Sequence, residues 1–75
     1  MKIKLFGGLR EFVGGMADVE MAINEPISVR QIIEALNIPD RYVYVVEKEG
    51  RMVEKDAIIQ EDEGEIKFLP VIAGG

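Results

Sequence analysis

The clearest local signal in this chain is one short amphipathic helix, and a helix that short has to lie on something. Ser28 is a good N-cap, Gln31 follows three residues on as its capping-box partner, and Ile27 is placed to staple against Ile32. Val29, Ile32, Ile33 and Leu36 follow the spacing of a single apolar face. Pro26 before the segment, and Asn37 and Pro39 after it, mark its boundaries. Two to three turns of helix are not stable alone in water. The apolar face therefore predicts a sheet beneath it, within a single small domain, because 75 residues leave no room for a second core.

Strand patterns lie on both sides of the helix. Residues 2–6 alternate strictly, with Ile3 and Leu5 inward and Lys2, Lys4 and Phe6 outward. Gly7-Gly8 breaks this run, Leu9–Val13 reads as a short turn-like or helical segment, and Gly14-Gly15 closes it. A second alternation sets Val19, Met21 and Ile23 on one face and Asp18, Glu20 and Ala22 on the other. The two runs read as an antiparallel hairpin with a long loop. After the helix, Tyr42–Val46 is a third strand and Glu49-Gly50 a turn. Arg51–Glu54 is a short fourth strand, Ala57–Ile59 a buried connector and Glu65–Leu69 the last strand. Pro70 is expected to end that strand, since proline lacks a ladder donor.

A hairpin, a crossing helix and further strands make an α+β roll. Its commonest small form is the β-grasp, or ubiquitin-like, fold: a mixed sheet of four or five strands with one helix across it. The first and last strands then pair in parallel at the centre. Parity places Ile66 and Phe68 under the helix and Lys67 and Leu69 on the open face. Phe6 and Leu69 are expected to form an exposed apolar patch there, beside the start of the tail. Residues 1–69 are read as the domain and residues 70–75 as a flexible Gly-Gly tail.

Composition narrows the function classes. The chain has no Cys and no His, which removes disulfides, thiolate or imidazole metal sites and the usual neutral-pH base. No metal site is expected. A net charge of −5 argues against nucleic acid as a partner. There is no apolar run of transmembrane length and no signal peptide, so no membrane partner is expected and the location is read as cytoplasmic. Residues 47–65 carry eight acidic and three basic side chains, which a solvated face explains; steering towards a basic partner is the functional alternative. The paired glycines at 7-8 and 14-15 are not a phosphate loop, since no Gly-Lys-Ser/Thr and no long helix follow. A chain so poor in catalytic side chains is expected to work through another protein.

The tail is where such a chain can do so. Too few residues follow Pro70 for another element, and Gly74 and Gly75 remove side chains where another protein's active site would have to close around the backbone. Six extended residues reach about 20 Å.

Phe68-Leu-Pro-Val-Ile-Ala-Gly-Gly75 resembles the terminal signature of the ThiS/MoaD family of ubiquitin-like sulfur carriers, nearest to MoaD, the small subunit of molybdopterin synthase. Phe6-Gly-Gly-Leu-Arg-Glu-Phe-Val-Gly14 is similar to the second MoaD signature, an aromatic residue followed by Leu-Arg-Glu and then Gly. Val71 stands where many members have a second proline, and Gly64 lies one place later than the usual Gly before the last strand. ThiS shares the fold and tail but usually lacks the Leu-Arg-Glu insertion and is shorter.

The resemblance implies a carrier that catalyses nothing by itself and binds no cofactor of its own. A ubiquitin-activating-enzyme-like partner (MoeB/ThiF type) would use ATP and Mg to adenylate Gly75, and sulfur transfer would leave a terminal thiocarboxylate. Pro70, Val71, Ile72, Ala73, Gly74, Phe6 and Leu69 would bind the partners. A large subunit of MoaE type would then take the sulfur for molybdenum or tungsten cofactor biosynthesis. The same terminal chemistry also suits a thiazole-pathway or tRNA-thiolation carrier, or a protein modifier. A plain β-grasp interaction module with an idle tail is the alternative outside that chemistry.

Overall fold

Ser28 caps the helix in both directions. Its Oγ accepts from the Gln31 N–H at 3.1 Å, and its own N–H donates to Gln31 Oε1 at 2.9 Å. The computed structural model describes residues 1–62 and 64–71, and Ile72, Ala73, Gly74 and Gly75 lie outside the described residues. In chain order these residues form β1 (Lys2–Leu5), a 3-10 turn (Gly7–Val13), β2 (Asp18–Glu20), β3 (Ile27–Ser28) and α1 (Val29–Ala35). A second 3-10 turn (Asp40–Tyr42) leads into β4 (Val43–Lys48), β5 (Arg51–Val53), β6 (Ile58–Ile59) and β7 (Glu65–Pro70). Val29, Ile32 and Ile33 are buried as the helical period predicts, and Leu36 packs half-buried beside them. Asn37, at φ 60°, turns the chain out of the helix.

The main sheet has the order β2-β1-β7-β4-β5. At its centre β1 and β7 run parallel, Ile3 opposite Ile66 and Leu5 opposite Phe68, and all four side chains are fully buried. The expected parity therefore holds for both strands. β2 joins β1 as an antiparallel hairpin, and β4 pairs antiparallel with the other side of β7. The sheet, its parallel centre and the one helix across it make this an α+β β-grasp fold.

Four local expectations need correction. Tyr42 belongs to the 3-10 turn and not to β4. Within β4 the register skips Tyr44 between Val43 and Val45, a bulge that lets both Val43 and Val46 face the core and leaves Tyr44 exposed. Ala57–Ile59 is not a plain connector: Ile58 and Ile59 pair with Ser28 and Ile27 in a second, two-stranded sheet, which buries Ile59 and leaves Ile58 exposed. Pro70 does not stop the strand short of itself. It is the last residue of β7, opposite Val43, where its missing N–H falls at the end of the ladder.

The two-residue loop between Lys48 and Arg51 has φ 53° at Glu49 and 80° at Gly50, the left-handed pair that a type I′ hairpin turn requires. At the same end of the sheet, the Met1 ammonium donates to the Met21 carbonyl at 2.8 Å and to the Asp62 carboxylate. No helix among the described residues is long and apolar enough to cross a membrane.

Candidate functional site at the end of the central strand

β7 delivers the chain to the surface between the end of β1 and the start of β4, so what surrounds Pro70 is set by the segments adjoining those two strands. After β1 comes the 3-10 turn. Leu9 is buried beneath it, Arg10 Nε donates to the Leu5 carbonyl at 3.0 Å, and Gly14, at φ 68°, closes it while the Gly15 N–H donates to the Arg10 carbonyl at 2.8 Å. With Leu9 and Arg10 committed to the body of the protein, Phe12 is left 40% exposed.

Before β4 comes the second turn, held at Asp40 by two side chains. Arg30 Nη1 lies 3.0 Å from Asp40 Oδ1, and Lys55 Nζ lies 3.2 Å from Asp40 Oδ2 while donating to the Asp40 carbonyl at 2.9 Å. This fixes Tyr42 beside Phe12, ring centroids 5.7 Å apart and planes 29° from parallel. The Arg41 guanidinium lies 4.9 Å from the Tyr42 ring centroid, within cation–π range. Between the two turns runs a groove of about 520 Å³ lined by Gly7, Gly8, Phe12, Tyr42, Pro70 and Val71, with Glu11 and Leu9 completing its walls.

Pro70 and Val71 both line the groove, Pro70 half-buried and Val71 57% exposed. Phe6 and Leu69 do not, and each is half-buried. Parity indicates the face of a strand residue but not how far its neighbours cover it, and the exposed apolar side chains here are Phe12, Tyr42 and Val71 instead. Ile72, Ala73, Gly74 and Gly75 lie outside the described residues.

Sequence reasoning passed over Phe12 and Tyr42. The available signal was Pro39-Asp40 ahead of the strand, which marks a turn that keeps Tyr42 out of the alternation. The acidic stretch is partly neutralised within the fold, since Asp56 pairs with Arg30, Asp62 with the Met1 ammonium, and Glu47 stands opposite Lys67 across the sheet.

The groove offers apolar surface and a Glu carboxylate, with neither thiol nor imidazole anywhere in the chain. Among the described residues no group of three or more His, Cys, Asp or Glu side chains is placed to hold a metal ion. Such a surface can bury apolar side chains and direct a chain segment. The ThiS family model matches residues 3–75, and no curated protein matches this chain.

Proposed function

The chain belongs to the ThiS family of ubiquitin-like sulfur carriers, and from that membership we propose that it carries sulfur on Gly75 as the small subunit of a molybdopterin synthase. Members of the family are carriers and not catalysts, working with an adenylating E1-like enzyme and a sulfur-accepting partner. The observation that favours the MoaD role is the Leu9-Arg10-Glu11 turn. It is an integral part of the fold, with Leu9 buried and Arg10 tied to the Leu5 carbonyl, and it forms one wall of the groove from which Pro70 and Val71 emerge.

A free carboxylate is a poor electrophile, because its charge is delocalised and its leaving group would be oxide. The activating partner, using ATP and Mg, converts the Gly75 carboxylate to an acyl adenylate and releases pyrophosphate. A persulfide sulfur then attacks the acyl carbon and expels AMP. Cleavage of the resulting sulfur–sulfur bond by a second thiol leaves the thiocarboxylate on Gly75 and a disulfide on the donor. That sulfur is ionised at neutral pH and is a good nucleophile. In the large subunit it adds to precursor Z on the way to the dithiolene. Pro70 and Val71 hold the start of the tail, Ile72 fills the channel, and Ala73 and Gly74 keep the backbone slim.

The test is the intact mass of the full chain after incubation with ATP, an adenylating partner and a persulfide source. A gain equal to exchanging one oxygen for sulfur, lost when Gly75 is deleted, supports the carrier role. Adding the large subunit and precursor then separates the MoaD role from thiazole or tRNA delivery. No gain with any activating partner would return the chain to a plain interaction module.

A further inference from the structure

Gly7 and Gly14 stand at the two ends of one 3-10 turn and share one conformational demand, φ 56° and φ 68°. Their surroundings differ. A Cβ on Gly14 would meet nothing within 4 Å, whereas a Cβ on Gly7 would lie 3.2 Å from Cγ of Pro70. That distance is inside ordinary van der Waals contact, so one of the two must move. Ring closure fixes φ at Pro70, so pucker is the one way Cγ can give without the backbone. Pro70 is also paired opposite Val43 at the end of β7. A displacement beyond what pucker absorbs takes the backbone with it, at the last residue before the tail.

We infer that Gly7 is a positioning residue: by letting the turn backbone press against the Pro70 ring, it sets the direction in which the tail leaves the sheet. The inference rests on the carrier reading, since direction matters only if the end of the chain is delivered into another protein's active site. A partner that grips the carrier body holds its channel fixed relative to that body. A shift of a few tenths of an ångström at Pro70 then displaces everything threaded beyond it. Misplacing a reacting atom by about 1 Å costs on the order of a hundredfold in rate, so a smaller shift should cost about tenfold. Gly7 and Pro70 also line the groove, so KM follows the groove's shape and the loss in kcat is the part that reports direction.

The experiment compares full-length Gly7→Ala, Gly14→Ala, Pro70→Ala and the Gly7→Ala/Pro70→Ala double variant in ATP-dependent activation by the adenylating partner, with thermal melting of each. Gly14→Ala is the matched control for left-handed strain. Both glycine variants should melt lower. Gly7→Ala alone of the two should lose about tenfold in kcat, whatever its effect on KM. The double variant should be no slower than Pro70→Ala, because the colliding Cγ is already gone. Equal kcat for Gly7→Ala and Gly14→Ala, or losses that multiply in the double variant, would overturn the inference. If Gly7→Ala does not fold, Pro70→Ala decides alone, and an unchanged kcat there rejects it. A second readout needs no partner: residual dipolar couplings of the Val71 amide in the free protein should change in Gly7→Ala and not in Gly14→Ala. Wild-type chain that folds but is never activated would sink the carrier reading, and the couplings would still decide whether Gly7 sets the direction of the exit.

Discussion

Phe12 and Tyr42, from two separate 3-10 turns, stack with ring centroids 5.7 Å apart and form one wall of the groove that contains Pro70 and Val71. Such a pair contributes about 0.5–1.5 kcal/mol beyond the area it buries. Tyr42→Ala should therefore lower unfolding stability by about 1 kcal/mol in urea titration, while Tyr42→Phe keeps the stack and most of the stability. In activation assays both Tyr42→Ala and Phe12→Ala should raise KM for the carrier, because they remove exposed apolar surface beside the tail and leave Gly75 intact. An unchanged KM in both would dissociate the groove from partner binding.

Neighbouring residues on β7 should respond very differently to truncation. Phe68 is fully buried against the helix side of the sheet, opposite Leu5 and Val46, whereas Leu69 is half-buried on the other face, opposite Val45. Phe68→Ala should lose about 3–5 kcal/mol, a large share of the roughly 4–11 kcal/mol that a domain of this size commands. Leu69→Ala should lose about 1 kcal/mol. Circular dichroism melts of the two variants would show it, and similar losses would contradict the assigned strand parity.

The pair at the amino terminus predicts a stability maximum with two limbs. Hydrogen bonding to Asp62 raises the Met1 ammonium above its ordinary pKa against the opposing effect of desolvation. The same hydrogen bond, with a second from the Ile23 backbone, lowers the Asp62 carboxyl below its own. The ammonium stabilises the fold fully below its unfolded pKa of about 8 and ceases to do so as pH rises through the higher folded value. The carboxylate stabilises fully above about 3.9 and ceases to do so as pH falls through the lower folded value. Melting temperature against pH should therefore fall at both ends in the wild type, and more gently in Asp62→Asn. Profiles that differ only by a constant offset would show that the pair is not what titrates.

Threading of the tail makes a sharper demand on Gly74 than on any residue of the sheet. Gly74→Val alters none of the strand or core residues described above, so it should leave the melting temperature unchanged. It should also block sulfur loading or transfer, because a branched side chain widens the segment around which the partner closes. Normal transfer in a reconstituted assay would count against threading.

What could be read from sequence was what short-range chemistry specifies. The reciprocal Ser28–Gln31 cap and the buried face of Val29, Ile32 and Ile33 are local, and both are found as expected. The inward parity of Ile3, Leu5, Ile66 and Phe68 followed from strict alternation in two strands buried on one face. Alternation fails where the backbone departs from it, and the bulge at Tyr44 hid the fact that Val43 and Val46 share a face. Two residues are too few to show a period, so Ile58-Ile59 did not announce its pairing with Ile27-Ser28. The groove was not legible at all, because Phe12 meets Tyr42, and Gly7 meets Pro70, only after the strands between them have paired. Gly7-Gly8 read as no more than a strand break, whereas a Cβ at Gly7 would crowd the Pro70 ring.

The position of β7 between β1 and β4 also constrains how the molecule comes into being. Lys2 finds its partner in Glu65 and Leu5 in Phe68, so the central pairing joins segments from opposite ends of the chain and carries a high contact order. A nascent chain can pair Ile3 with Val19 in the β1–β2 hairpin, but the other side of β1 stays open until residues 65–70 have been made, and a chain cut short ahead of them lacks the middle of its sheet. Completing the core and placing Pro70 at the surface are consequently one event. A folded copy has its tail exit in place by construction, so degradation of unfolded chains would by itself remove every copy that lacks one.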